Sequence, residues 1–77
     1  MGLFGPRANR HIFSDFLSLI SLYDTGKVLV DTADRRCVEL LNQAQDTMNK
    51  HKEEYERAAS KRLFEQIFEW RSSVLKR

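Results

Sequence analysis

The chain has 77 residues, enough for one small domain and no more. With 42% hydrophobic and 31% charged residues it is too apolar for a disordered chain. Its net charge of +2 is spread over alternating signs, which argues against a dedicated nucleic-acid binder, since such proteins usually carry a basic stripe.

Helix is the structure that the composition favours almost everywhere. The three glycines and the one proline all lie within the first 26 residues, and both residue types disfavour helix interiors. We therefore expect one all-α domain covering residues 1–77.

The first predicted helix covers about residues 6–24. Gly5 and Pro6 suit a cap and a first helical turn, and Asn9 is a second candidate cap. One apolar stripe at helical spacing consists of Ile12, Phe16, Leu19, Ile20 and Tyr23. Phe13, Leu17 and Leu22 widen this stripe, so we expect the helix to bury more than one side.

A turn follows the first helix. Gly26 is well placed as the left-handed residue that ends a helix. The apolar residues 28–30 have no strand to pair with, so they are interpreted as a connector. Asp31 is the predicted N-cap of the next helix.

Residues 31–77 contain neither glycine nor proline, and they carry two apolar stripes that differ in phase by one residue. The stripes consist of Cys37, Leu41, Ala44, Met48, His51, Tyr55 and Ala58, and of Ala59, Leu63, Ile67, Trp70 and Val74. The preferred interpretation is one long helix over about residues 32–76, about 68 Å long at 1.5 Å per residue, which forms a helical hairpin with the first helix. The alternative is a three-helix bundle with a break near Asn49, which could adopt a left-handed cap.

The hairpin predicts both a core and a partner surface. The apolar stripe of the first helix should pack on Cys37, Leu41, Ala44 and Met48, and it reaches no further. The bulky residues beyond this point would stay uncovered unless the chain folds back or another chain covers them. The predicted partner-binding residues are Leu63, Phe64, Ile67, Phe68, Trp70 and Val74. Trp70 serves equally well as an interface anchor or as a core residue.

No constellation for catalysis or metal binding is evident. His11, His51 and Cys37 do not supply the closely spaced ligands of a zinc site. Glu65 and Glu69 share one helix face, but no Glu-x-x-His accompanies them, so a solvated face is the preferred interpretation. We expect no enzymatic activity, no cofactor and no metal.

Cysteine usage and hydropathy bear on the compartment. Cys37 is the single cysteine, which favours a small buried side chain and a reducing, intracellular setting rather than secretion. The first thirteen residues contain Arg7 and Arg10 and no acid, as organellar targeting segments do, so cytoplasm and organelle both stay open. The most apolar run, residues 12–23, is too short to span a bilayer, although the basic C-terminus could touch a membrane surface.

The favoured function is therefore that of a structural or interaction protein, a small helical subunit that packs its long helix into a larger assembly or against its own copy. The alternative is a small helical regulator that binds nucleic acid or inhibits a protein target. Such a regulator would use the basic residues Arg35, Arg36, Lys50, Lys61 and Arg62.

Overall fold

A computed structural model describes the backbone of residues 7–75 and the side chains of residues 9–75. Three α-helices follow one another: α1 (Arg7–Asp24), α2 (Val30–Lys50) and α3 (Glu54–Trp70), and a short π-helical turn (Arg71–Leu75) continues α3. The predicted all-helical class is confirmed. The predicted helix start at Gly5 and Pro6 and the predicted helix end at Lys76 lie outside the described residues.

The predicted long helix is wrong, because the chain breaks between α2 and α3. α2 ends at Lys50, and both His51 (φ −80, ψ 139) and Glu53 (φ −72, ψ 129) are extended. Asn49 stays helical, and no non-glycine residue among those described has a positive φ, so the left-handed cap at Asn49 is also wrong. The alternative with three helices and a break near Asn49 fits the observed arrangement.

The physical reason for the break is burial at the far end of the chain. Folding back places α3 against α2, so that Ile67 is 0% exposed and Leu63 is 6% exposed. A straight helix would have left both side chains in water, and burying each of them stabilises the fold by about 1.5–3 kcal/mol.

The connection between α1 and α2 follows the prediction for Gly26. Gly26 has φ +75, its N–H donates to the carbonyl of Tyr23 (3.1 Å), and the N–H of Lys27 donates to the carbonyl of Leu22 (2.8 Å). This pair of bonds is the Schellman pattern, in which a left-handed residue just past the helix satisfies the last carbonyls.

The predicted cap of α2 is corrected by two residues. α2 has Leu29 at its N-cap, and Asp31 lies inside the first turn. There its negative charge still favours the helix N-terminus, so the shift keeps the electrostatic benefit without a side-chain cap. Asn9, the second candidate cap of α1, also lies within its helix.

The core is built on α2, which packs against both other helices. Ala33, Cys37 and Ala44 are completely buried, and their small side chains allow the neighbouring helices to approach closely. The other buried apolar residues are Ile12, Phe16 and Leu19 of α1, Leu40 and Leu41 of α2, and Leu63 and Ile67 of α3. The predicted packing of α1 on α2 is therefore confirmed, except that Met48 is only half-buried. The predicted seam ends there, and Tyr55 beyond it is 61% exposed.

Two polar contacts fasten the ends of α3. At its start, the Ser60 hydroxyl lies 2.8 Å from Asn9 Oδ1 and 3.1 Å from the Glu56 carbonyl, and all three residues are buried. At its end, Arg71 Nε donates to Asp34 Oδ1 (2.5 Å) and Arg71 Nη2 donates to Asp34 Oδ2 (3.4 Å). These contacts fix the register of α3 against α1 and α2 at both ends.

Candidate interaction site

α1 has more apolar side chains than it buries in the core. Ile12, Phe16 and Leu19 are buried, whereas Phe13 is 45% exposed and Leu17 is 49% exposed. Adjacent residues of a helix differ by about 100° around its axis, so Phe13 and Leu17 face the side of the bundle next to the core. The expectation that α1 buries more than one side is not met within the described part of the chain.

The first groove lies between α1 and the C-terminal part of α3, and we name it the α1–α3 groove. It has a volume of ≈ 400 Å³. Its apolar lining includes Phe13, Leu17, Ile20, Trp70 and Val74. Gln66, Glu69 and Ser73 supply its polar groups. A mostly apolar groove between two helices has the shape in which a third helix can lie.

The second groove lies beside the first on α3, and we name it the Phe68 groove. It has a volume of ≈ 620 Å³ and is lined by Phe64, Glu65, Phe68, Glu69 and Ser72. Phe68 is 52% exposed. Glu69 lines both grooves, so the two grooves adjoin along α3 with Glu69 at their shared edge.

Trp70 contributes to the core and to the groove together. Its ring meets Phe16 and Tyr23 edge to face, with centroid distances of 5.8 and 5.6 Å. Such pairs prefer this T-shaped geometry and hold the ring in place. The exposed part of Trp70 therefore belongs to a rigid wall of the α1–α3 groove.

The predicted partner-binding residues divide into two groups. Leu63 and Ile67 lie in the core of the chain itself, so their assignment to a partner surface does not fit this fold. The reason is the break before α3, which turns the inner face of that helix towards α2. Of the other four residues, Phe68 is exposed, and Phe64, Trp70 and Val74 are half-buried and line a groove.

The predicted polyanion contacts are all exposed, but they do not form one basic patch. Arg36 lies 3.3 Å from Glu39, and Lys50 lies 3.0 Å from Asp46. Arg36 and Lys50 are fourteen residues apart on α2, about 21 Å along its axis. Arg35 shares the Arg36 end of α2, while Lys61 and Arg62 lie on α3.

Lys61 lines a third groove, of ≈ 470 Å³, at the turn between α2 and α3. Its other lining residues include Arg57 and Glu54, so its charges are of both signs. Such a mixed lining does not have the uniform positive charge that binds phosphates.

The chemistry-bearing side chains are engaged in structural contacts. His51 Nδ1 lies 2.7 Å from Glu56 Oε1, in the turn before α3. Within the described residues no group of three or more His, Cys, Asp or Glu side chains could hold a metal ion. Burial raises the pKa of the Cys37 thiol to about 11, with a further contribution from the negative charge of Asp34 that Arg71 partly opposes. The thiol is therefore protonated at neutral pH, and the thiolate is the reactive form.

No protein-family model, no curated protein and no solved structure matches the chain. Among the described helices, none is both long and apolar enough to cross a membrane.

Sequence reasoning missed Phe13 and Leu17 as surface residues. Its assignment of Glu65 and Glu69 to a solvated face agrees with their exposure. The sequence did contain a signal for Phe13 and Leu17. An apolar arc that is too wide to be buried against one neighbouring helix requires a second neighbouring helix. The buried contact of Asn9 with Ser60 had no sequence signal, since the two residues are 51 positions apart.

Proposed function

We propose that the chain is a non-enzymatic helical interaction protein, an accessory subunit that packs the surface formed by the α1–α3 groove and the Phe68 groove against another protein chain. The observation that carries this proposal is the exposure of Phe13 and Leu17 in the α1–α3 groove. Phe68 is exposed in the adjoining groove. Exposed apolar side chains grouped on the surface of a small domain mark sites of interaction.

The energetics agree with this role. Full burial of a Phe or Leu side chain stabilises by about 1.5–3 kcal/mol, so covering the exposed halves of Phe13, Leu17 and Phe68 would contribute about 1 kcal/mol each. The partly exposed Trp70 adds a rigid aromatic wall, and aromatic residues of this kind dominate binding energies at interfaces. A partner would also support a domain whose size makes it marginally stable by itself.

Site-specific photocrosslinking in cells that express the chain tests the proposal. A benzophenone amino acid would replace Phe13 in one variant and Phe68 in another. Tyr55, an exposed aromatic residue that lines neither groove, provides the matched control. We expect both groove positions to give adducts with the same protein species and Tyr55 to give none.

The outcomes separate clearly. An adduct between two copies of the chain at both groove positions would support the homo-oligomeric form of the proposal. Equal labelling at all three positions, or no adduct from either groove in a chain that is folded by circular dichroism, would contradict it.

A further inference from the structure

The two grooves carry charge of one sign. Glu65 and Glu69 are the charged residues that line them, and no Lys or Arg lines either groove within the described part of the chain. The chain as a whole has a net charge of +2, so the charge of this surface is opposite in sign to the net charge of the molecule. The groove at the α2–α3 turn differs, since Arg57 and Lys61 line it.

Both carboxylates are available to a partner. Glu65 and Glu69 are exposed, and neither forms an ion pair with any described side chain. By contrast, Glu39, Asp46 and Asp34 each have a basic partner within the chain. The carboxylates of Glu65 and Glu69 can therefore form ion pairs with the basic side chains of a partner.

The spacing of these groups matches a helix. Glu65 and Glu69 are one helical turn apart, about 6 Å, and Lys or Arg side chains four residues apart on a neighbouring helix have the same spacing. The apolar side chains Phe13 and Leu17 are also four residues apart. A helix lying along the α1–α3 groove would meet apolar contacts on the α1 side and carboxylates on the α3 side.

Resting on the proposed function, we infer that this surface takes a basic amphipathic helix of a partner protein. Its apolar face would pack on Phe13 and Leu17 in the α1–α3 groove, and its Lys or Arg residues would pair with Glu69 and with Glu65 one turn away. The apolar contacts provide most of the affinity, and the carboxylates select the sign of the partner's charge and exclude acidic helices.

Two synthetic 18-residue peptides test this inference. Both carry the same leucine face, and their polar face is lysine in one peptide and glutamate in the other. Trp70 is the single tryptophan and lines the α1–α3 groove, so its fluorescence reports binding. Exposed ion pairs are modest, so we expect the lysine peptide to bind about tenfold more tightly at low salt, with the preference shrinking as salt rises.

Charge variants provide the controls. The double variant Glu65→Gln/Glu69→Gln should bind both peptides with similar affinity, and Glu65→Lys/Glu69→Lys should prefer the glutamate peptide. The matched control Asp31→Asn/Glu39→Gln removes two exposed carboxylates from α2, which lines neither groove, and should keep the preference of the unmodified chain. Circular dichroism checks that each variant is folded.

The results distinguish this inference from the proposed function. Equal binding of both peptides, lost in Leu17→Glu, would overturn the charge selectivity and leave an apolar docking surface. Binding of neither peptide would overturn the inference, while the crosslinking experiment decides the proposed function separately. A concentration-dependent dimer in light scattering that Leu17→Glu abolishes would place a second copy in the α1–α3 groove and would also overturn the inference.

Discussion

Replacing Ile67 by alanine should destabilise the chain far more than replacing its neighbour Phe68. The Ile67 side chain is completely buried among α1, α2 and α3, whereas Phe68 is 52% exposed in its groove. The pair is informative because a continuous helix over residues 32–76 would have left both side chains uncovered.

The magnitude follows from the atoms removed. Ile67→Ala deletes three buried carbon atoms at about 0.8 kcal/mol each, and the cavity left behind raises the loss to about 3–4 kcal/mol. Phe68→Ala removes a ring that is already half in water, and the better helix propensity of alanine returns about half a kilocalorie per mole, so we expect a loss of about 1 kcal/mol. A domain of this length has about 4–12 kcal/mol of total stability, so Ile67→Ala should remove at least about a quarter of it.

Urea denaturation followed by circular dichroism measures both losses. We expect a large decrease in the midpoint for Ile67→Ala and a small one for Phe68→Ala, with similar slopes. Equal and small effects of the two substitutions would refute the packing of α3 against the core and would restore the extended arrangement.

Three further predictions concern polar and titratable groups. Ser60→Ala leaves Asn9 Oδ1 without its buried hydrogen-bond donor and should lower the free energy of unfolding by about 1–3 kcal/mol in urea denaturation; no change would mean that water replaces the hydroxyl. Asp34→Ala and Arg71→Ala should each lower the thermal midpoint, and the double variant should lose less than the sum of the two, because each single change removes the same ion pair; additive losses would count against that coupling. The Cys37 thiol should resist thiol reagents at pH 8 in the folded chain and react after unfolding. Because burial raises the pKa of this thiol to about 11, folding favours its protonated form. The contribution of the thiol to the free energy of unfolding is therefore complete below pH 9. That contribution falls by about 3 kcal/mol as the pH rises towards 11. The difference in unfolding free energy between the unmodified chain and Cys37→Ala should shrink over that interval, and a constant difference would contradict the shift.

Local signals in the sequence predicted the first two helices well. The end of α1 is specified by Gly26, whose left-handed conformation is accessible at little cost to glycine alone. The stripe that begins at Cys37 is regular, and its small members permit close packing, so the core between α1 and α2 was predictable from spacing. The start of α2 was less predictable, since helix ends vary by one or two residues without changing the buried face.

Local signals placed a break near Asn49 only as the alternative to a continuous helix, because residues 49–54 contain neither glycine nor proline. A helix could continue through these residues at little cost. The chain turns back because only then are Leu63 and Ile67 buried. His51 Nδ1, in the turn, then lies 2.7 Å from Glu56 Oε1 of α3. The polar residues around the break permit the turn, and distant apolar residues make it favourable.

The candidate site was predictable in part for the same reason. Phe68 was predicted at the surface because it is bulky and apolar, and it is exposed in the structure. The sequence could not distinguish it from its neighbour Ile67, because the side from which α2 covers α3 was unknown. Phe13 and Leu17 appeared as core candidates because they belong to the apolar arc of the first helix. The width of that arc does not show how many of its side chains the rest of the chain can bury.

This mismatch between apolar arc and available cover is the strongest physical reason to expect a partner. Three helices of 18, 21 and 17 residues can bury one inner face each, and Phe13 and Leu17 of α1 lie beside Trp70 of α3 along the α1–α3 groove. A fourth helix laid in this groove would complete a four-helix bundle, an arrangement in which each helix buries its apolar face against two neighbours. We therefore expect that a partner helix protects Phe13 and Leu17 from solvent while leaving Cys37 and Ile67 unchanged, since those two residues are already fully buried. Hydrogen exchange of the bound chain should then show new protection along α1 and the end of α3 and little change in the middle of α2.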